Sequence, residues 1–127
     1  MAYRVEVMND TTPLEKGLPK EERLRKRKDF DKVFQDGKAV RGGGLKAYVL
    51  SNSLAYTRLG IVTSKKLGTS VVRNRIRRLL RECYRLNKTS LGPGVDLVLI
   101  PRKGFPTTLR RVEEDFKKLV GQMKGSR

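Results

Sequence analysis

Apolar residues fall in periodic blocks along the chain, and the period changes from block to block. Over residues 29–36, Phe30, Val33 and Phe34 recur at helical spacing. Asp29 and Asp31 suit the positive end of a helix there, and Gly37 supplies a stop, so the pattern predicts a short helix. Residues 45–50 alternate Leu45, Ala47 and Val49 against Lys46, Tyr48 and Leu50, and residues 58–64 alternate less cleanly through Leu59, Ile61 and Thr63. Both read as strands, with a turn from Asn52 to Tyr56 between them. Gly42, Gly43 and Gly44 interrupt the approach to the first strand, which predicts a bend, a bulge or a mobile edge. Val72, Ile76, Leu79, Cys83 and Leu86 follow at spacings of 4, 3, 4 and 3, the core-facing stripe of a long helix over residues 70–86 capped by Thr69 or Ser70. After a turn over residues 91–94, residues 95–100 are nearly all apolar and end at Pro101, as expected of a strand buried on both faces. A last helix, over residues 108–124, places Leu109, Val112, Phe116, Leu119 and Met123 on one side.

The order helix, two or more strands, helix, strand, helix predicts an α+β fold: a single-domain α-β sandwich with helices packed on a small central sheet. The length, 127 residues, suits one domain. Residues 1–19 hold Thr11, Thr12, Pro13, Gly17 and Pro19 with little periodicity, and read as a flexible N-terminal arm ahead of a domain over residues 20–127. No run approaches the apolar length of a membrane span and the N-terminus has no apolar signal core, so a cytoplasmic protein is expected.

Charge narrows the function. Thirty Lys and Arg against 13 Asp and Glu give a net charge of +17. Residues 23–127 carry 27 of the basic and 8 of the acidic residues. Solubility needs a net charge of only roughly 2–8, so a polyanionic partner explains the excess better. A membrane surface fits less well, because the cations do not sit opposite a broad apolar helix face. The lone cysteine, Cys83, falls on the apolar side of a helix and reads as a small buried thiol. There is no histidine, which removes the commonest general base and metal ligand.

The informative segment is residues 65–85, KKLGTSVVRNRIRRLLRECYR. Arg73, Arg77, Arg81 and Arg85 stack along one surface of the predicted helix, and Arg75 and Arg78 widen it. Like charges at this spacing destabilise a helix by roughly 0.2–0.5 kcal/mol per pair. Arg73 and Arg75 also oppose the macrodipole in the first turns, at roughly 0.3–1 kcal/mol each. Only Glu82 offsets the row. Phosphates give the arrangement its sense: free N–H groups at a helix start bind anions, and guanidinium forks match phosphate oxygens. Lys65 and Lys66 extend the positive surface, and Asn74 suits a base or a 2′-hydroxyl. The bland alternative is a solvated basic face. Phe30, Phe34 and Tyr48 would stack unpaired bases if exposed, but periodicity alone favours core for each.

Lys65–Arg81, K-K-L-G-T-S-V-V-R-N-R-I-R-R-L-L-R, resembles the signature of the bacterial ribonuclease P protein component. The stretches R-L-R-K-R-K-D-F-D-K-V-F-Q-D-G, R-L-G-I-V-T-S-K-K and D-L-V-L-I-P-R-K are similar to the same family, and the likeness covers about residues 20–120. It implies a left-handed βαβ crossover, an exception to the usual hand. It also implies a ribonuclease P RNA surface at Lys65, Lys66, Arg73, Asn74, Arg75, Arg77, Arg78 and Arg81. Phe30, Phe34 and Tyr48, with Arg73 and Asn74, are implied contacts to the 5′ leader of precursor tRNA, which moves Phe30 and Tyr48 from core towards leader. Gly42–Gly44 stand where the family usually has larger residues, and Thr69 where Asn or Lys is common.

Direct phosphodiester hydrolysis would need a general base or carboxylates gathered around metal ions. Asp29 with Asp31, and Glu113 with Glu114 and Asp115, fall in predicted first helical turns, where dipole compensation accounts for them. The expectation is a subunit with no catalytic residue and no metal ligand of its own, whose RNA partner performs Mg²⁺-dependent hydrolysis, with no membrane and no protein partner. Two other classes remain open: a ribosomal protein sharing the charge and helix array, and a stand-alone nuclease.

Overall fold

The structure, a computed structural model, describes residues 19–125, so the expected N-terminal arm lies outside the described residues apart from Pro19. A 3-10 turn over Lys20–Glu22 leads into helix α1 (Arg27–Asp36), strands β1 (Lys38–Gly42), β2 (Leu45–Ser51) and β3 (Arg58–Ile61), and a second 3-10 turn over Lys65–Leu67. Helix α2 (Ser70–Leu86), the single turn α3 (Lys88–Leu91), strand β4 (Val95–Pro101) and helix α4 (Leu109–Gly125) complete the described chain. The strands form one sheet in the order β1-β2-β4-β3. β2 runs antiparallel to β1 and β4, while β3 and β4 are parallel, which requires the crossover through α2.

Every residue of β4 is buried, and its side chains divide the interior in two. Val98 and Ile100 join Leu24, Val62 and the α1 residues Phe30 and Val33 on one face. Leu97 and Leu99 join Leu45, Ala47, Leu59 and Ile61 on the other, beneath α2 and α4. Each large side chain buried in this way stabilises the fold by about 1.5–3 kcal/mol. The fold is therefore α+β, with one sheet covered on both faces. Gly60 sets how closely α1 approaches, since a Cβ there would lie 2.5 Å from the Phe30 ring.

The structure departs from the sequence reading at three places. Strand β1 was not predicted, because only Val40 of its five residues is buried. At the glycine triplet the structure shows the first of the expected alternatives, a bend: it is the tight β1–β2 turn, with Gly43 at φ +57. Asp115 of α4 accepts the Gly44 N–H at 3.1 Å, and a Cβ on Gly42 would lie 2.4 Å from the Leu119 nitrogen, so α4 packs directly on β1. Along α2 the buried residues are Ile76, Leu80, Cys83 and Tyr84, while Leu86, expected on the core stripe, is 52% exposed. Finally, α4 begins at Leu109 with no acid in its first turn. Glu113 and Glu114 instead pair with Lys117 at 3.3 Å and Arg110 at 3.8 Å, on the helix surface.

Two predictions follow from this packing. The substitution Gly42→Val drives a side chain into the backbone of α4, which has no side chain to swing aside. It is expected to cost about 1–3 kcal/mol, read from the midpoint of urea unfolding. Cys83 lies buried between α2 and α4, and desolvation, then Glu113 and Glu82, pushes its thiol up to about 12. The folded state thus holds a proton that the unfolded chain releases near the ordinary thiol value of 9.0, so this stabilisation is present below pH 9.0 and is lost as pH rises through about 12. A thiol reagent at pH 8 should label the folded protein far more slowly than the urea-unfolded chain; equal rates would show that the thiol is accessible.

Candidate nucleic-acid interface

Helix α2 starts where Gly68, at φ +135, turns the chain, and the Thr69 hydroxyl accepts the Val72 N–H at 3.3 Å as N-cap. Its first turn holds no acid. The apolar side faces the sheet, which leaves the arginines on the remaining surface. Arg75, Arg78 and Arg85 are exposed, and Arg73, Arg77 and Arg81 half-buried. Asn74 is exposed among them. Lys65 and Lys66, both exposed, lie on the 3-10 turn just before the helix.

Several of these cations are held in place. Arg75 Nε donates to the Thr107 carbonyl at 2.8 Å, tying α2 to the start of α4. Arg77 Nη1 donates to Thr63 Oγ1 at 2.7 Å, and Arg77 Nη2 donates to Asn74 Oδ1. Arg85 pairs with Glu82 at 2.5 Å and holds its carboxyl below the usual glutamate range. The structure thus gathers all eight residues assigned to the RNA surface at the start and along the outer side of one helix.

The three aromatic positions separate. Phe30 is 0% exposed, packed between Leu24, Val33 and Gly60 in the core beneath α1. With no ring face open to solvent it cannot stack a base, so the leader contact implied for it by resemblance is corrected: α1 must bury one aromatic to seat on the sheet. Phe34 and Tyr48 are half-buried, and their rings meet edge-to-face at 5.2 Å and 89°. Lys46 Nζ sits 5.1 Å from the centre of the Tyr48 ring, close enough for a cation–π contact.

Lys46 was not singled out in the sequence as a functional residue, nor were Arg102 and Lys103. The signal for Lys46 was its place two residues from Tyr48 on the same strand face. Arg102 and Lys103 follow the end of β4, and Lys65 and Lys66 follow the end of the parallel β3, so strand direction brings the four to one end of the sheet. Arg102 is fixed there by its N–H to the Gly44 carbonyl at 3.0 Å.

The other end of the parallel pair is different. Arg58 grips buried Asp96 through Nε at 2.8 Å and Nη2 at 2.6 Å, Asn52 Nδ2 adds a bond to the same carboxylate at 2.8 Å, and Asp29 of α1 stands 3.6 Å from Arg58. Beside it lies an open cavity of about 380 Å³ lined by Glu22, Tyr56, Thr57, Lys88 and Pro93, with Glu22 and Lys88 paired. Among the described residues no group of three Cys, Asp or Glu could hold a metal ion, and no helix is long and apolar enough to cross a membrane.

Comparison with known proteins matches this geometry. The family model described as Ribonuclease P matches residues 18–124. The ribonuclease P protein component of Alkaliphilus metalliredigens is 38% identical over 103 residues, covering 80% of this chain and 93% of that protein. That of Thermotoga maritima is 40% identical over 92 residues, 72% of this chain and 79% of the relative. Among solved structures, the Staphylococcus aureus RNase P protein superposes with TM-score 0.75 at 28% identity, over 81% of this chain and 95% of that one. The Thermotoga maritima RNase P protein gives 0.63 at 35% identity, over 83% and 94%. Motif, fold and relatives agree, and the chain belongs to the ribonuclease P protein component family.

Proposed function

We propose that the chain is the protein subunit of a ribonuclease P ribonucleoprotein and serves removal of the 5′ leader from precursor tRNA. One observation carries the reading: six arginines and a single acid share α2, on a surface that begins at a capped helix start flanked by Lys65 and Lys66. Lys65, Lys66, Arg73, Asn74, Arg75, Arg77, Arg78 and Arg81 form the face for the ribonuclease P RNA, a partner whose phosphates relieve the repulsion along the row. The leader of the precursor lies across Phe34 and Tyr48, with Lys46 against its backbone and Arg73 and Asn74 at the border of the two surfaces. Single-stranded RNA suits such a place, because every base has a face to stack while the phosphates follow the cations.

In this reading the hydrolysis, and the Mg²⁺ it requires, belong to the RNA. The chain has no histidine, and among the described residues no three acids converge as metal ligands. The protein's contribution is discrimination: by holding the leader it favours precursor over product. It acts in the cytoplasm, without a membrane or a further protein partner.

The reading is tested by 5′ processing of a precursor tRNA at limiting Mg²⁺ with a bacterial ribonuclease P RNA. Cleavage should be efficient only with RNA and intact protein together, and Arg73→Ala combined with Arg77→Ala should abolish the gain. Cleavage by protein alone would establish a nuclease, and no gain with any RNA type would favour a structural RNA-binding role such as a ribosomal protein's. A second comparison separates groove from core. Tyr48→Ala should weaken precursor binding by about 1–3 kcal/mol while leaving affinity for leaderless tRNA unchanged. Phe30→Ala should instead lower stability by about 3–5 kcal/mol, seen in thermal unfolding.

A further inference from the structure

Thr63 is a buried hydroxyl just past the end of β3, with no exposed surface. Its Oγ1 accepts Arg77 Nη1 at 2.7 Å, and the other terminal nitrogen of the same guanidinium reaches the Asn74 side chain. A guanidinium only donates, so the Asn74 atom facing it must be the amide oxygen. That settles which way the amide points: its NH₂ group lies away from the Arg77 contact, on an exposed residue at the start of α2.

We infer that Thr63, acting through Arg77, fixes Asn74 with its amide hydrogens turned to RNA, and that Arg77 is a positioning residue as well as a member of the cationic face. An unconstrained asparagine offers a donor and an acceptor and can turn to suit either. Held by its oxygen, Asn74 presents both amide hydrogens away from Arg77 and favours acceptors: a phosphate oxygen, a 2′-oxygen or a base carbonyl. An amino edge of a base that meets the NH₂ group is disfavoured, because two donors then face each other. Fixing the amide before RNA arrives also removes an ordering cost from binding. The inference rests on the proposal that this face of α2 binds RNA, and it names how one residue of that face selects its contact.

The test is a double-mutant cycle on affinity for a bacterial ribonuclease P RNA over a range of salt, with thermal unfolding of each variant alongside. Thr63→Val and Asn74→Ala should each weaken binding by about five- to tenfold, the weight of one hydrogen bond involving a charged or oriented partner. The double variant should be no weaker than the weaker single one, since both changes break one chain of bonds. The slope of log affinity against log salt should stay at the wild-type value, because no cation is removed, whereas Arg73→Ala should lower it by about 0.7–0.9. Thr63→Ser, which keeps the hydroxyl, should restore binding.

Effects that multiply in the double variant, or a Thr63→Val protein that binds like wild type, overturn the inference while a weakened Arg73→Ala leaves the RNA face standing. If Arg73→Ala and Asn74→Ala both bind like wild type, the RNA face and the inference fall together. A second measurement does not depend on changing a core position. In the free protein the Arg77 Nη protons should show restrained rotation by NMR and lose it in Asn74→Ala; free rotation in the wild type overturns the inference.

Discussion

The two-sided burial of β4 is the constraint on which the rest of the structure depends. A strand with no exposed residue, hydrogen-bonded on both edges, must be covered above and below. Helix α1 covers one face through Phe30 and Val33, and α2 with α4 covers the other. Apolar positions are scarce in so charged a chain, and each helix spends most of its apolar side on the core around the sheet. The cations are left with the outer surfaces and the ends.

Strand direction then decides where the charge gathers. Parallel β3 and β4 finish at the same end, and the segments leaving them carry Lys65 with Lys66 and Arg102 with Lys103. Helix α2 begins there too, so its free N–H groups add to the positive field. At the opposite end a carboxylate, Asp96, is buried under Arg58 and Asn52, an arrangement that satisfies both lone-pair sets of the acid and leaves little net charge. The asymmetry is a product of topology as much as of composition, since the same residues on an antiparallel pair would be split between two ends.

How much of this was legible in the sequence depended on how strongly burial writes a period. β4 and α4 were plain because their apolar runs are long, and the arginine row was plain because four-residue spacing needs no tertiary context. β1 was missed because an edge strand with one buried side chain writes no alternation. The α2 stripe was drawn with a mean spacing of 3.5 residues, and against a straight helix of 3.6 such a stripe drifts about 20° per heptad. Over the two heptads from Val72 to Leu86 the last member leaves the core, and Leu80 and Tyr84 take its place, the tyrosine hydroxyl reaching the Thr57 carbonyl at 3.4 Å. Pairings across the chain, such as Arg58 with Asp96 or Arg77 with Thr63, leave no local trace at all.

Those long-range tethers explain how α2 tolerates its own charge. A stability-minded helix would set an acid four residues from each arginine, and each such pair would weaken the positive field of the helix. Here Arg75 is held by a backbone carbonyl and Arg77 by a hydroxyl and an amide oxygen. Neutral acceptors fix the direction of a guanidinium without cancelling its charge. The ionic partner within the helix, Glu82, serves Arg85 in the last turn, where a cation already agrees with the macrodipole and lies farthest from the helix start. Orientation and charge are thus controlled separately along one helix: neutral oxygens orient the arginines near its start, and the carboxylate is spent at its end, so the field stays strongest where free N–H groups, lysines and Asn74 come together.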